Sequence, residues 1–176
     1  MDTLPEQAPI TVFVCANCAR PGHVPTSSGR TRPVLPNFEW TCPVEQIVVP
    51  CSGRLQPENV LRAFEKGSSV VSIITCQEDN CHYIEGSRRC NLRVDYLRSL
   101  LDEIGLGGDR LLLFSLPGSA SQDLALTSGL PTTQLTQDQV NTKIGIIRNQ
   151  VMDALQSCPP NPMAQLPTEA SVGGVE

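Results

Sequence analysis

Five cysteines of this chain lie at or just after the ends of predicted β-strands, where their thiols could bind a metal. Cys15, Cys51 and Cys76 each follow an apolar, β-prone run, at residues 10–14, 47–49 and 70–75. Cys18 and Cys81 lie in the loops that follow two of these runs. If the runs are neighbouring parallel strands, Cys15, Cys51 and Cys76 emerge at the edge where open α/β sheets bind ligands, and up to five thiols could converge there. We therefore expect a metal ion or an iron–sulfur cluster at this edge.

The pair Cys15-x-x-Cys18 by itself is compatible with zinc binding, dithiol exchange or cluster binding. A thioredoxin-like pair opens a helix directly after the strand, whereas Ala-Arg-Pro-Gly follows here at residues 19–22. Structural zinc prefers two compact ligand pairs, and this chain offers one such pair, then isolated Cys51, then Cys76 and Cys81. Four of the five thiols would hold one [2Fe-2S] or [4Fe-4S] cluster, with amides near Ser52 and arginines tuning it. A zinc-stabilised interaction module is the main alternative, and a thiol oxidoreductase is the third.

The remaining candidate ligands fit the pattern less well. Cys90 lies inside a helical pattern and Cys158 ends the last predicted helix, so both are interpreted as ordinary small side chains. Cys42 follows Trp40 and could serve as a spare ligand. His82 is interpreted as a hydrogen-bonding neighbour of Cys81, although histidine can replace cysteine on a cluster iron.

Composition narrows the function classes. The 176 residues carry a net charge of −5, which gives no reason to expect nucleic acid as a partner. No apolar stretch approaches the roughly 20 residues that a membrane span needs. The first residues resemble no secretory signal, and eight cysteines without such a signal favour metal or redox chemistry over disulfides. We therefore expect a cytoplasmic protein. The sequence has no GxGxxG motif, no second CxxC pair and only two histidines, so nothing in it resembles a flavin, nicotinamide or nickel site.

The periodicity of apolar residues predicts an α/β domain. Strands are expected at residues 10–14, 45–50, 70–75 and 111–114, with helices from Pro57 to a stop at Gly67, from Ser87 to Ile104, and from a capping box at Thr136. The predicted fold is a parallel sheet of about four strands with helices on both faces, a flavodoxin-like or Rossmann-like three-layer domain. We expect a leader at residues 1–9, one iron–sulfur domain at 10–157 and a disordered tail at 158–176. Residues 19–39 are predicted to form a long loop with at most one helical turn.

The positive charge of the chain is mainly arginine and is concentrated after the last thiols. Arg88, Arg89, Arg93 and Arg98 lie within one predicted helix. They could simply solvate that helix, tune a cluster, or orient a docked protein. We expect a docking surface around the loop from Cys76 to Cys81, with polar groups of residues 77–80 at its rim and Arg88, Arg89 and Arg93 supplying charge.

Two segments make the pattern specific: Pro50-Cys51-Ser52-Gly53-Arg54 and Cys81-His82-Tyr83-Ile84-Glu85-Gly86. With them, residues 12–114 resemble the delta subunit of methyl-viologen-reducing hydrogenase. The resemblance implies a [2Fe-2S] cluster, with the family's cysteines falling on Cys15, Cys18, Cys51, Cys76 and Cys81. It also implies an electron relay between a hydrogenase or other dehydrogenase and a heterodisulfide-reductase-like flavoprotein. Thr75 stands where the family usually has glycine, and Cys42 is additional.

Overall fold

A computed structural model describes residues 9–18, 23–25, 31–33, 38–117 and 137–165. The strands of its main sheet are β1 (Ile10–Cys15), β4 (Val44–Val49), β5 (Val70–Cys76) and β6 (Leu111–Leu116), and the helices are α1 (Pro57–Glu65), α2 (Gly86–Glu103) and α3 (Gln137–Ser157). The four strands are parallel and lie in the order β4-β1-β5-β6. The predicted strands and helices are confirmed, with ends shifted by one or two residues. Thr136, the predicted cap of α3, lies outside the described residues.

The two faces of the sheet are covered by different helices, as the predicted three-layer fold requires. Val12 and Val14 point toward α3, whose apolar stripe packs on that face, while Phe13 points toward α1 and α2. This alternation follows from the two-residue period of a strand, and burial on both faces explains why β1 and β5 are buried throughout. The α3 stripe is therefore core packing and consists of Val140, Ile144, Ile147 and Val151.

A glycine with a positive backbone φ angle follows α1, at the predicted stop, and another follows α2. Gly67 follows α1 with φ of 101°, and Gly105 follows α2 with φ of 75°. Glycine adopts this conformation without the steric penalty of a β-carbon. The chain can therefore turn back sharply from α1 into β5 and from α2 toward β6.

Two regions extend or correct the sequence expectations. Within residues 19–39, a short antiparallel pair forms between β2 (His23–Pro25) and β3 (Thr31–Pro33), so these six residues are strands where a loop was predicted. The prolines stand at strand ends, where no interior ladder bond is lost. Within the predicted tail, Pro162–Gln165 forms a 3-10 turn and Asn161 is 1% exposed against α1. The rest of the expected leader and tail lies outside the described residues.

Candidate metal centre

Strand order brings the predicted thiols to one edge of the sheet. β1 lies between β4 and β5, and Cys15 aligns with Val49 at the end of β4. Cys76 ends β5, while Cys51 follows β4 by two residues. Because all these strands are parallel, their carboxyl ends share one edge. The five predicted ligands are all buried, each no more than 5% exposed: Cys15, Cys18, Cys51, Cys76 and Cys81.

Three of these thiols form a tight group. The sulfur atoms of Cys15, Cys18 and Cys76 all lie within 4.8 Å of one another. The Cys76 sulfur is 3.8 Å from that of Cys15 and 3.6 Å from that of Cys18. Such spacings suit ligands on a tetrahedral metal with metal–sulfur bonds of about 2.3 Å. We call these three residues the thiol trio.

Cys51 and Cys81 form a second pair beside the first turn of α2. A β-carbon placed on Gly86 would lie 2.5 Å from the Cys51 sulfur and 3.0 Å from the Cys81 sulfur. Both sulfurs therefore lie close to one point on the Gly86 backbone. The turn that carries Cys51 also touches α2, because a β-carbon on Gly53 would lie 2.6 Å from the Gly86 Cα. Two glycines thus let the Cys51 loop, the Cys81 loop and α2 meet.

Hydrogen bonds within the trio lower the pKa of one thiol and raise that of another. Hydrogen bonds from the Cys18 and Cys76 thiols hold the pKa of Cys15 well below its ordinary value, assisted by the backbone amides of Asn17 and Ser52. The hydrogen bond with Cys15 raises the pKa of the Cys76 thiol, and burial raises the pKa of Cys18. Burial also raises the pKa of Cys51, opposed by a hydrogen bond from the Gly53 amide. The backbone amides near Ser52 therefore lie beside two of the predicted ligands, Cys15 and Cys51.

Further polar groups surround the thiols. The Ser52 and Thr75 hydroxyl oxygens lie 2.6 Å apart in a buried hydrogen bond. The Arg93 guanidinium donates to the carbonyl oxygens of Gly53, at 2.5 Å, and Leu55, at 3.2 Å. Arg93 is therefore half-buried and fixes the turn after Cys51, while its expected part in docking stays a prediction. Its positive charge lies beside the site.

The remaining candidates lie outside the trio. The Cys42 thiol contacts the Met152 sulfur at 3.8 Å, and Cys158 follows α3. His82 is exposed, with its ring edge-on to Tyr83. Cys90 is 2% exposed; burial raises its pKa to about 11, while the Ser52 hydroxyl and the Arg93 charge oppose this. Cys90 therefore lies near the site without joining the trio.

Sequence reasoning missed the two glycines and the hydroxyl pair. Gly53 and Gly86 belong to the two specific segments, so their presence there was a usable signal for close backbone approach. No local signal pairs Ser52 with Thr75, because these residues are 23 positions apart. Ser87, directly after Gly86, has a buried hydroxyl without a hydrogen-bond partner among the described residues. An orphaned donor here fits a site built for a group beyond the protein chain.

Comparison with known proteins is consistent with this geometry. Residues 10–137 match the family described as methyl-viologen-reducing hydrogenase, delta subunit. The chain is 34% identical over 77 residues to the vhu iron-sulfur subunit of the F420-non-reducing hydrogenase of Methanocaldococcus jannaschii, covering 44% of this chain and 58% of that relative. It is 33% identical over 82 residues to the corresponding protein of Methanococcus maripaludis, covering 47% and 61%. The matches thus span about three fifths of these relatives' length.

A second kind of relative is much longer. The chain is 43% identical over 61 residues to one subunit of the ferredoxin:CoB-CoM heterodisulfide reductase of Methanosarcina mazei, a match that covers 35% of this chain but only 8% of the relative. The matching segment is therefore a small part of that larger protein.

Among the described residues, no helix is both long and apolar enough to cross a membrane.

Proposed function

The chain belongs to the methyl-viologen-reducing hydrogenase delta subunit family, and we propose that it is a non-catalytic electron-transfer subunit with one iron–sulfur cluster. The observation that carries this proposal is the convergence of five buried cysteines at one sheet edge. Thiolates are the usual ligands of such clusters. The relatives named as hydrogenase iron-sulfur subunits support the same assignment.

The donor set fits a cluster in its arrangement as well as in its chemistry. In the described part of the chain, the three sulfur atoms of the trio lie within 4.8 Å of one another. The sulfur atoms of Cys51 and Cys81 lie separately, beside Gly86. A single zinc ion would need four ligands around one point, whereas a binuclear cluster needs two ligand groups. We therefore propose a [2Fe-2S] cluster held by four of the five thiols. A [4Fe-4S] cluster is the alternative with the same ligand chemistry.

When bound, the cluster would accept and release one electron at a time. The protein's contribution is to bury the thiols and to compensate negative charge. The amino end of α2, which carries a partial positive charge, lies against the Cys51 and Cys81 sulfurs. The amides of Ser52 and Gly53 contact Cys15 and Cys51, and the Arg93 charge lies next to the same turn. These positive groups favour the thiolate form of the cysteines over the thiol form. They also favour a more positive reduction potential of the cluster.

The proposed partners are a hydrogenase or other dehydrogenase and a heterodisulfide-reductase-like flavoprotein. This choice is supported by one relative that is named as a hydrogenase subunit and by another that is named as a heterodisulfide reductase subunit. The match to a short segment of the heterodisulfide reductase protein indicates that a similar domain can be covalently joined to such a partner. A cytoplasmic location is part of the same proposal.

Anaerobic purification tests the cofactor directly. We expect iron and labile sulfide in equal amounts, about two of each per chain, with visible absorption bleached by dithionite. The sulfur spacings of 3.6 and 3.8 Å also suit zinc, so the second candidate is a zinc-stabilised interaction module. Stoichiometric zinc without iron or sulfide, in protein purified under argon, would replace the electron-transfer proposal with that module.

A further inference from the structure

An exposed apolar surface lies on the outer side of α2 and on the loop before it. Four of the seven large apolar or tyrosine side chains that are exposed in the described residues lie here: Tyr83 (56%), Ile84 (82%), Leu92 (65%) and Tyr96 (62%). Leu92 and Tyr96 are four residues apart on one helix, so they share a face. Both tyrosines of the chain belong to this set. We call it the α2 surface.

The α2 surface adjoins an opening to the candidate metal centre. Tyr83, Ile84 and Arg89 line a cavity of about 440 Å³ whose wall also includes Cys51 and Gly86. Cys51 is therefore the thiol that a molecule seated in this cavity would approach.

The rim predicted at residues 77–80 lies elsewhere. Gln77, Glu78 and Asn80 line a separate cavity beside Cys76. The Asn80 amide donates to the Gln77 side chain, and the Asn91 amide donates to Glu78. These polar groups therefore already have partners within the chain, and the α2 surface is the stronger candidate for docking.

Two features of the α2 surface oppose stability of the isolated domain. Ile84 has a φ of 61°, a conformation that β-branched residues rarely adopt, and it is almost fully exposed. Arg88 and Arg89 occupy the first turn of α2, where the helix dipole disfavours cations. Glu85 offsets part of this charge through its exposed ion pair with Arg89 at 2.8 Å. Strain and misplaced charge of this kind concentrate at functional surfaces.

We propose that the α2 surface is the docking face for the electron-exchange partner, a redox protein whose matching face has an apolar centre bordered by carboxylates. Charge complementarity carries the choice of partner, on a chain whose net charge is −5. Arg54 and Arg89 line the same cavity as Tyr83 and Ile84, and Arg88 is next to Arg89 in the first turn of α2. Tyrosine and arginine are also the residues that dominate binding energy at protein interfaces. The proposal rests on the proposed electron-transfer function, because it places the partner over Cys51.

The test uses the complex as the cells make it. The tagged wild-type chain is isolated anaerobically from its own cells, and the redox protein recovered in equal amount becomes the binding probe. We expect a Leu92→Asp/Tyr96→Asp variant to bind that protein roughly tenfold or more weakly, because interface anchors carry most binding energy. Arg88→Gln/Arg89→Gln should weaken binding mainly at low salt. Ile146→Asp and Arg62→Gln, exposed changes on α3 and α1, are matched controls that should leave binding unchanged.

A second readout keeps the proposal testable if a variant is unstable. Benzoylphenylalanine at position 96 should cross-link to the recovered redox protein, whereas the same probe at position 146 should not. Unchanged binding in both double variants, no cross-link from position 96, or no redox protein recovered with wild type would each overturn the proposal. Sedimentation of wild type as a dimer that Leu92→Asp/Tyr96→Asp dissociates would assign the surface to a second copy instead. Iron and sulfide content is measured separately, so failure of the cluster proposal remains distinguishable.

Discussion

Gly86 and Cys51 lie so close that no side chain fits between them. A β-carbon on Gly86 would be 2.5 Å from the Cys51 sulfur, and the Cys81 sulfur would be 3.0 Å away. The first turn of α2 therefore forms one wall of the candidate metal centre with its backbone alone. This contact brings the positive end of the helix dipole against two of the five thiols.

Replacement of Gly86 by alanine should disrupt the centre while sparing the fold. The new methyl group would displace the Cys51 and Cys81 sulfurs, which can rotate away because they end flexible side chains. We expect loss of most bound metal from Gly86→Ala, measured as iron and sulfide per chain, with little change in far-ultraviolet circular dichroism.

Gly145→Ala is the matched control for that change. Gly145 lies within α3, and nothing lies within 4 Å of an added β-carbon there. Alanine is favoured over glycine in a helix by about 1 kcal/mol, so this variant should keep its metal and unfold at slightly higher urea. Equal metal content in the two variants would contradict the role of the Gly86 backbone as one side of the metal centre.

Substitution of individual cysteines should separate ligands from neighbours. Cys51→Ser and Cys81→Ser should remove or alter the cluster, because a hydroxyl is a poor substitute for a soft thiolate. Cys158→Ser should keep it, as should Cys90→Ser, although Cys90 is buried near Ser52. Metal analysis and the visible spectrum of all four variants provide the measurement. Equal loss of iron in every variant would show that this division of the cysteines is wrong.

The hydroxyl pair of Ser52 and Thr75 should contribute measurably to stability. Thr75→Val keeps the shape but leaves the Ser52 hydroxyl buried without its 2.6 Å partner, which should cost about 1–3 kcal/mol of unfolding free energy. Ser52→Ala combined with Thr75→Val should cost less than the two single changes together, since neither hydroxyl is then stranded. Urea titrations of the double-mutant cycle measure this coupling. Strict additivity would indicate that the two hydroxyls do not depend on each other.

Asn161 should hold the segment after α3 against the end of α1 through its side-chain hydrogen bonds. Its side-chain amide donates to the carbonyl oxygens of Phe64, at 2.7 Å, and Ser68, at 2.8 Å. Asn161→Ala leaves two buried acceptors without these bonds, so we expect a loss of about 2 kcal/mol in unfolding free energy. Asn149→Ala, at an exposed position of α3, should change stability by less than about 0.5 kcal/mol. An unchanged urea midpoint for Asn161→Ala would mean that the segment after α3 is not part of the cooperative unit.

Much of the fold could be predicted because its elements carry strong local periodicity. β5 is apolar along nearly its whole length, and the α3 stripe repeats every three or four residues, so each could be assigned from its own sequence. Residues 19–39 were less predictable. Their Pro, Ser and Gly content predicts a loop, and the pairing of β2 with β3 depends on contacts between separate segments.

The position of the site could be predicted, but its internal arrangement could not. Thiols at strand ends indicated the carboxyl edge of the sheet, since parallel strands share that edge. The contacts of Arg93 could not be predicted, because a charge on a helical pattern gives no sign of whether it will find backbone carbonyls. The structure pairs it with Gly53 and Leu55, about 40 positions away along the chain.

The sequence by itself determined the helices, the strands of the main sheet, the α/β class, the family and the placement of five thiols at or after strand ends, because these depend on local pattern and specific short segments. Tertiary structure alone decided that β1 lies between β4 and β5, which places Cys15 beside both neighbouring strand ends. It also separated the thiol trio from Cys51 and Cys81, and set both glycines in contact at α2. The strand order and the close contact between the two glycines depend on packing between segments that are distant in sequence. The physical cause is the burial of both faces of the sheet by helices from other parts of the chain.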